Sequence, residues 1–205
     1  PSMGSWINYG LGTTNQNLPG FIVLNGGLIP PGGLGCFSNG FLPAAYQGSI
    51  FKYGDKPIAN IARTEATPEL QQNKLDLIRK LDAGVVGRLG RLDQVESAIA
   101  NHELAFRMQG AVPELMDIKG ETEVTRKMYG LDASFKNTAT FGRNCLIARR
   151  LVERGVRFIE LTCPGGNGDR WDQHGGLTDG PPKNAKSVDQ GIAALLQDLE
   201  GRGLL

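Results

Sequence analysis

The sequence predicts an α/β domain built on a parallel sheet, and three observations carry that prediction. A helical pattern over "TFGRNCLIARRLVERG" ends at Gly155. "VRFIEL" follows at once, with the β-branched and aromatic residues of a strand. A second helical pattern succeeds that strand after a glycine-rich loop. This rhythm of helix, strand, loop and helix is that of a parallel α/β sheet. The 205 residues suit one domain, long enough to bury a substantial core.

Each element has its own signal. "SMGSWINYG" reads as a short helix, with Ser2 at the N-cap and Gly10 as its stop. "PGFIVLNGG" places a short buried strand at Phe21 to Leu24, punctuated by glycines. Residues 25 to 50 read as a long Gly/Pro loop, a length that is uncommon unless functional. "TPEL" opens a helix from Pro68 to Leu81, with Thr67 capping and Pro68 at the first helical position. Val85, Leu89, Leu92, Val95, Ile99 and Phe106 form a helical stripe over residues 85 to 108. His102 falls on that stripe and reads as a core residue rather than a ligand. A shorter helix covers Glu121 to Tyr129. Phe141, Cys145, Ala148 and Val152 then make one helical face. Val156 to Leu161 is expected to be a central parallel strand. Val188, Ile192, Leu195, Leu196 and Leu199 mark the last helix, over residues 184 to 202, with Gly203 just past its end.

Composition narrows the function. Net charge is +1, which argues against general electrostatic binding to nucleic acid or an anionic membrane. No apolar run approaches the ~20 residues of a spanning helix. Cys36, Cys145 and Cys163 show no CxxC and no paired spacing, which excludes a small disulfide scaffold and the usual structural zinc knuckles. The 22 lysines and arginines and 21 aspartates and glutamates all lie beyond Phe51. The charge-free opening predicts a segment that is covered or lines a cleft; a neutral, loop-rich edge is the plainer alternative. The chain starts at Pro1 and stops at "LL" after a helix end, and so reads as a single domain, residues 1–205, trimmed at both ends.

The densest chemistry is "GDRWDQHGG", residues 168 to 176, which holds one of the two histidines of the chain. It follows the strand at 156 to 161, and in open α/β sheets ligands bind beyond the carboxyl ends of the strands. Asp172 and His174, two apart, project to one side of an extended segment. A carboxylate oxygen and an imidazole nitrogen are both ligands for zinc or another divalent cation. The alternative is an Asp–His hydrogen bond that orders a surface loop, with Trp171 as a packing anchor. A thiol set of Cys163, His174 and Asp172 is a weaker reading, since nothing marks Cys163 as activated. "PGGLG" and "GGNG" resemble phosphate loops only in their glycines.

"PSMGSWINYGLG", "NLPGFIVL", "ELAFRMQGAVPEL", "MYG", "NCLIARRLVERGVRFIEL" and "WDQHGGL" together resemble the DUF1501 family, a bacterial domain of unknown function. The resemblance runs in the same order over residues 1 to 205. It implies a sulfatase-like relative of the alkaline phosphatase superfamily, with a three-layer α/β/α sandwich. It further implies a metal-dependent hydrolase of sulfate or phosphate esters, in an exported (periplasmic or secreted) protein. "WDQH" fits the family motif W-D-x-H, which carries Asp172 and His174 over as ligands of a divalent metal ion, and no other residues. The superfamily nucleophile and the remaining ligands are expected outside this chain. A non-catalytic binding or structural relative that keeps the fold is the alternative.

Overall fold

The computed structural model describes residues 1–27, 29–52, 57–58, 61–90, 93–165 and 171–205. Three short strands, β1 (Phe21–Leu24), β2 (Ser49–Phe51) and β3 (Phe158–Leu161), form a parallel sheet in the order β2-β1-β3. Six helices accompany them among the described residues: α1 (Met3–Leu11), α2 (Pro68–Leu89), α3 (Asp93–Met116), α4 (Glu123–Met128), α5 (Lys136–Glu153) and α6 (Gly180–Gly201). The chain is therefore a mixed α/β domain with a small parallel sheet.

β1 is where the hydrophobic run placed it, and all four of its residues are buried. Burial on both faces is what a continuous apolar run in a parallel sheet implies. This strand holds the centre, so the expectation for β3 is corrected. β3 is parallel, but it lies at the edge of the described sheet and is only half-buried. β2 lies inside the stretch expected to be loop; three residues are too few to show a period.

Alternation along the strands divides the core. Phe21, Val23, Ile50 and Phe158 pack with Phe37 on one face of the sheet. Ile22, Leu24, Phe51, Ile159 and Leu161 join the main core on the other, with Val112 and Leu115 of α3 and Leu146, Ile147 and Leu151 of α5. α1 covers the first face closely. A Cβ on Gly4 would stand 2.7 Å from the rings of both Phe21 and Phe158, so only glycine permits that approach.

The caps explain the helix boundaries. Ser2 Oγ accepts from the Ser5 N–H at 3.3 Å, but α1 runs past Gly10 and stops at Gly12, which has φ 64°. Thr67 Oγ1 accepts from the Leu70 N–H at 3.2 Å. α2 then continues beyond Leu81 to Leu89 and ends at Gly90, with φ 78°. The helix expected over 85–108 is therefore split: Val85 belongs to α2, and α3 extends to Met116 with Pro113 inside it. Leu92 of the expected stripe lies outside the described residues. Ser97, Met108, Val112 and Leu115 face inward on α3, and His102 is exposed rather than in the core.

α6 starts at Gly180, earlier than Asn184, with prolines in its first turn. It packs on α5 through small residues: a Cβ on Gly191 would stand 3.0 Å from the Phe141 ring and 3.2 Å from Cys145 Sγ. Of its expected stripe, Val188 and Leu195 are half-buried against the core, while Ile192 and Leu196 are exposed. Charge locks the same helices at one end. Arg149, only 5% exposed, makes an ion pair across to Asp198 of α6 at 3.3 Å, and also donates to Glu153 at 2.9 and 3.0 Å and to Glu121, before α4, at 2.9 Å.

Candidate functional site at the carboxyl end of the sheet

The carboxyl ends of β1 and β3 are bound together by polar groups that begin where the strands stop. The Thr162 N–H donates to the Leu24 carbonyl at 3.1 Å, and the Asn25 N–H to the Phe51 carbonyl at 3.0 Å. Thr162 Oγ1 accepts from the Gly26 N–H at 2.9 Å and donates to Asn25 Oδ1 at 3.2 Å. Asn25 Oδ1 also accepts from the Gly27 N–H at 2.7 Å. Gly27 and Pro164 pair across the gap as an antiparallel bridge. The two loops touch so closely that a Cβ on Gly26 would overlap the Thr162 carbonyl, and Gly27 adopts φ 123°. Sequence reasoning missed Asn25 and Thr162; the Asn-Gly-Gly run directly after an apolar strand marks a turn at Asn25, but nothing local pairs it with Thr162.

From this platform the chain runs towards the motif. Gly168, Asp169 and Arg170, with most of "GGNG", lie outside the described residues. Trp171 returns to the platform, its indole Nε1–H donating to Cys163 Sγ at 3.3 Å. Asp172 and His174 follow, and the structure brings them together: His174 Nε2 stands 2.9 Å from Asp172 Oδ1. Both are open to solvent, with His174 86% and Asp172 55% exposed at the side chain. The expected one-sided projection of residues two apart is present.

This separation can be weighed against a shared metal. Two ligands ~2.0–2.2 Å from one tetrahedral zinc stand about 3.3–3.5 Å from each other. The observed pair is within about half an ångström of that geometry, so the two donors fit a common ion with a small outward rotation. The same separation fits a direct N–H···O hydrogen bond. Among the described residues no group of three or more His, Cys, Asp and Glu stands together as a metal site. Asp172 and His174 form a pair of donors rather than a full coordination sphere.

The other candidates are not gathered here. His102 lies exposed on α3. Cys163 is half-buried, and the hydrogen bond that reaches it comes from Trp171. "PGGLG" runs into a short 3-10 turn, Gly33–Phe37. Cys145 is sealed in the core, where burial pushes its thiol up to about 12, so it is unreactive near neutrality. On β3 itself, burial raises the Glu160 carboxyl above its ordinary value. A groove of about 1180 Å³ runs along α3 between Ile61, Arg63, Arg107 and Met116, and neither Asp172 nor His174 lines it.

No curated protein and no solved structure matches the chain. No described helix is long and apolar enough to cross a membrane. One family model does match, that of "Protein of unknown function (DUF1501)", and it spans residues 1–205. The order of the strands and the WDQH segment therefore sit within a match that covers the entire sequence, and the chain belongs to the DUF1501 family.

Proposed function

We propose that Asp172 and His174 supply two ligands of one divalent-metal site in a sulfatase-like domain of the alkaline phosphatase type, with its α/β/α sandwich. In this reading the protein is exported and hydrolyses sulfate or phosphate esters. The observation that carries it is the pair itself: a carboxylate oxygen and an imidazole nitrogen, 2.9 Å apart, beyond the carboxyl end of a parallel strand. That edge of an α/β sheet is where ligands bind. A divalent ion held there supplies Lewis-acid polarisation of an ester oxygen and offsets charge developing in the transition state. Asp172 and His174 hold and orient; the Asn25–Thr162 platform fixes the end of β3, and the Trp171–Cys163 contact brings the chain back to it immediately before Asp172.

A second reading is favoured by one observation. Both side chains are largely exposed, and a water-filled surround weakens electrostatic stabilisation of a transition state. A non-catalytic relative that keeps the fold, with or without the metal, fits that exposure. Elemental analysis of the purified full-length protein separates the readings, together with assays on nitrophenyl sulfate and nitrophenyl phosphate. Stoichiometric divalent metal with chelator-sensitive hydrolysis of either ester supports the hydrolase. Metal without turnover supports the binding relative. Absence of metal at saturating zinc, manganese and calcium removes the ligand assignment.

A further inference from the structure

The first helix is built the wrong way round for a helix that belongs only to its own domain. Its inward face carries Gly4, Ser5 and Asn8, all buried, at positions i, i+1 and i+4. Its outward face carries Met3, Trp6 and Tyr9, all exposed. An ordinary surface helix does the reverse, with its apolar stripe on the core. The inversion is stabilised locally: Ser5 Oγ donates to the Ser38 carbonyl at 3.1 Å, and Gly4 allows the close approach to Phe21 and Phe158. The helix is thus fixed with its large side chains in water.

Those side chains are continued by the loop after β1. Trp6 meets Phe41 edge to face at 5.7 Å and Tyr9 at 6.1 Å, and Tyr9 meets Tyr46 at 5.2 Å. Four rings, Phe41, Trp6, Tyr9 and Tyr46, form an unbroken chain at the surface. Trp6 is 47%, Tyr9 50% and Phe41 78% exposed. Scaled to the ~150–250 Å² of an aromatic side chain, these three leave about 300–400 Å² of ring surface uncovered. Met3 of the same helix enlarges the patch towards the ~800 Å² that each partner gives to a stable interface.

We infer that this face is a self-association surface, covered by the same face of a second copy of the chain. Two features select that occupant. A two-fold interface sets a patch against itself, so any charge in it faces its own sign. The first 51 residues carry no charged side chain, so the rings of Trp6, Tyr9, Phe41 and Tyr46 meet their copies without repulsion; the Arg157 guanidinium, which donates to the Gly12 carbonyl at 3.0 Å, lies at the far end of the helix. Aromatic residues and methionine with few charges are also the composition of interface cores. A strongly acidic or basic partner would find no charged side chain on α1 or on the loop after β1 to pair with.

The test is the mass of the protein in solution over a concentration series, by sedimentation velocity, with the full-length protein and the 205-residue chain run in parallel. A dimer is expected. Trp6→Glu and Phe41→Glu, each placing a carboxylate against its own copy, should weaken it at least tenfold. Both positions are solvent-facing, so the fold is retained, which circular dichroism verifies. Leu196→Glu, on the exposed side of α6, should leave the dimer intact. In a Trp171→Phe background of the 205-residue chain Trp6 is the sole tryptophan, and its emission should shift to the blue as concentration rises. A wild-type chain that stays monomeric overturns the inference, as does a dimer that survives both substitutions or is lost in Leu196→Glu. A monomer that binds phosphatidylcholine vesicles through Trp6 also overturns it, and assigns the face to a lipid surface.

Discussion

Gly142 of α5 passes directly beneath the backbone carbonyl of Tyr129. A Cβ at that position would overlap the carbonyl oxygen and stand 3.0 Å from the carbonyl carbon. Backbone cannot rotate away as a side chain can. Gly142→Ala must therefore push α5 off the segment that follows α4, in a region where Phe141, Cys145 and Tyr129 are all buried. Overpacking of this kind costs about 1–3 kcal/mol, and sometimes more. Gly84, inside α2, has nothing within 4 Å of its would-be Cβ. Gly84→Ala should instead be neutral or stabilise by up to ~1 kcal/mol. Urea denaturation of the two variants should move their midpoints in opposite directions or leave Gly84→Ala unmoved.

That contrast shows what the sequence could convey. Phe21–Leu24 was legible because a run of four apolar residues between glycines has few structural readings. The Ser2, Thr67 and Gly155 boundaries were legible because capping is local chemistry. Gly90 was not, since the stripe from Val85 to Phe106 runs through it with helical spacing on both sides. Gly142 carried no signal either: its need for glycine comes from Tyr129, a contact made only when the chain folds. The inverted α1 was hidden for a related reason. Its apolar residues have the spacing of a core helix, and only the packing of Gly4, Ser5 and Asn8 on the sheet reveals that they point outward. For the site, the pairing of Asp172 with His174 follows from a spacing of two in extended chain, whereas the Asn25–Thr162 platform joins residues 137 apart and has no local signature.

Tyr129 gives a prediction in pH. Its hydroxyl donates to Asp198 Oδ2 at 3.0 Å, and Arg149 Nε makes an ion-pair contact with the same oxygen at 3.3 Å. Burial first, then the bond to Asp198, raises the phenol above its ordinary value. The folded state thus holds this proton more tightly than the unfolded chain, whose tyrosine titrates near ~10. The stabilisation is complete below about pH 10 and is lost as pH rises above it. Tyr129→Phe should cost about 1 kcal/mol near pH 8, and the gap to wild type should narrow above about pH 10. A gap that stays constant across that range would show that folding does not hold the Tyr129 proton more tightly.

Glu160 loses stability in the same pH direction, but its substitution should stabilise the fold. Its carboxyl is raised by desolvation in the half-buried edge strand. The folded chain therefore favours the protonated form. The contribution of Glu160 is best below the carboxylate reference of ~4.3, and diminishes as the group ionises above it. Glu160→Gln keeps the shape and removes the ionisation. Its thermal midpoint should exceed that of wild type at pH 7, and the difference should shrink towards about pH 4. A lower midpoint at pH 7 would mean that the ionised carboxylate makes a favourable interaction that outweighs its desolvation.

Asp172 and His174 can be separated from a mere hydrogen-bonded pair by a double-mutant cycle read in metal content. Asp172→Asn keeps the size and removes the charge, while His174→Ala removes the ring nitrogens. If both donors hold one ion in the full-length protein, each substitution should lower the bound metal substantially. The double variant should be little worse than the worse single, because donors at one ion are strongly coupled. If the 2.9 Å contact only orders an exposed loop, the same cycle should show coupling in thermal stability alone. That coupling should be small, since ion pairs at such exposure are largely offset by solvent, and metal content should be equal in all four proteins. Metal content is the deciding observable because either substitution weakens the Asp–His contact whether or not an ion is held, whereas only loss of a ligand takes the ion with it.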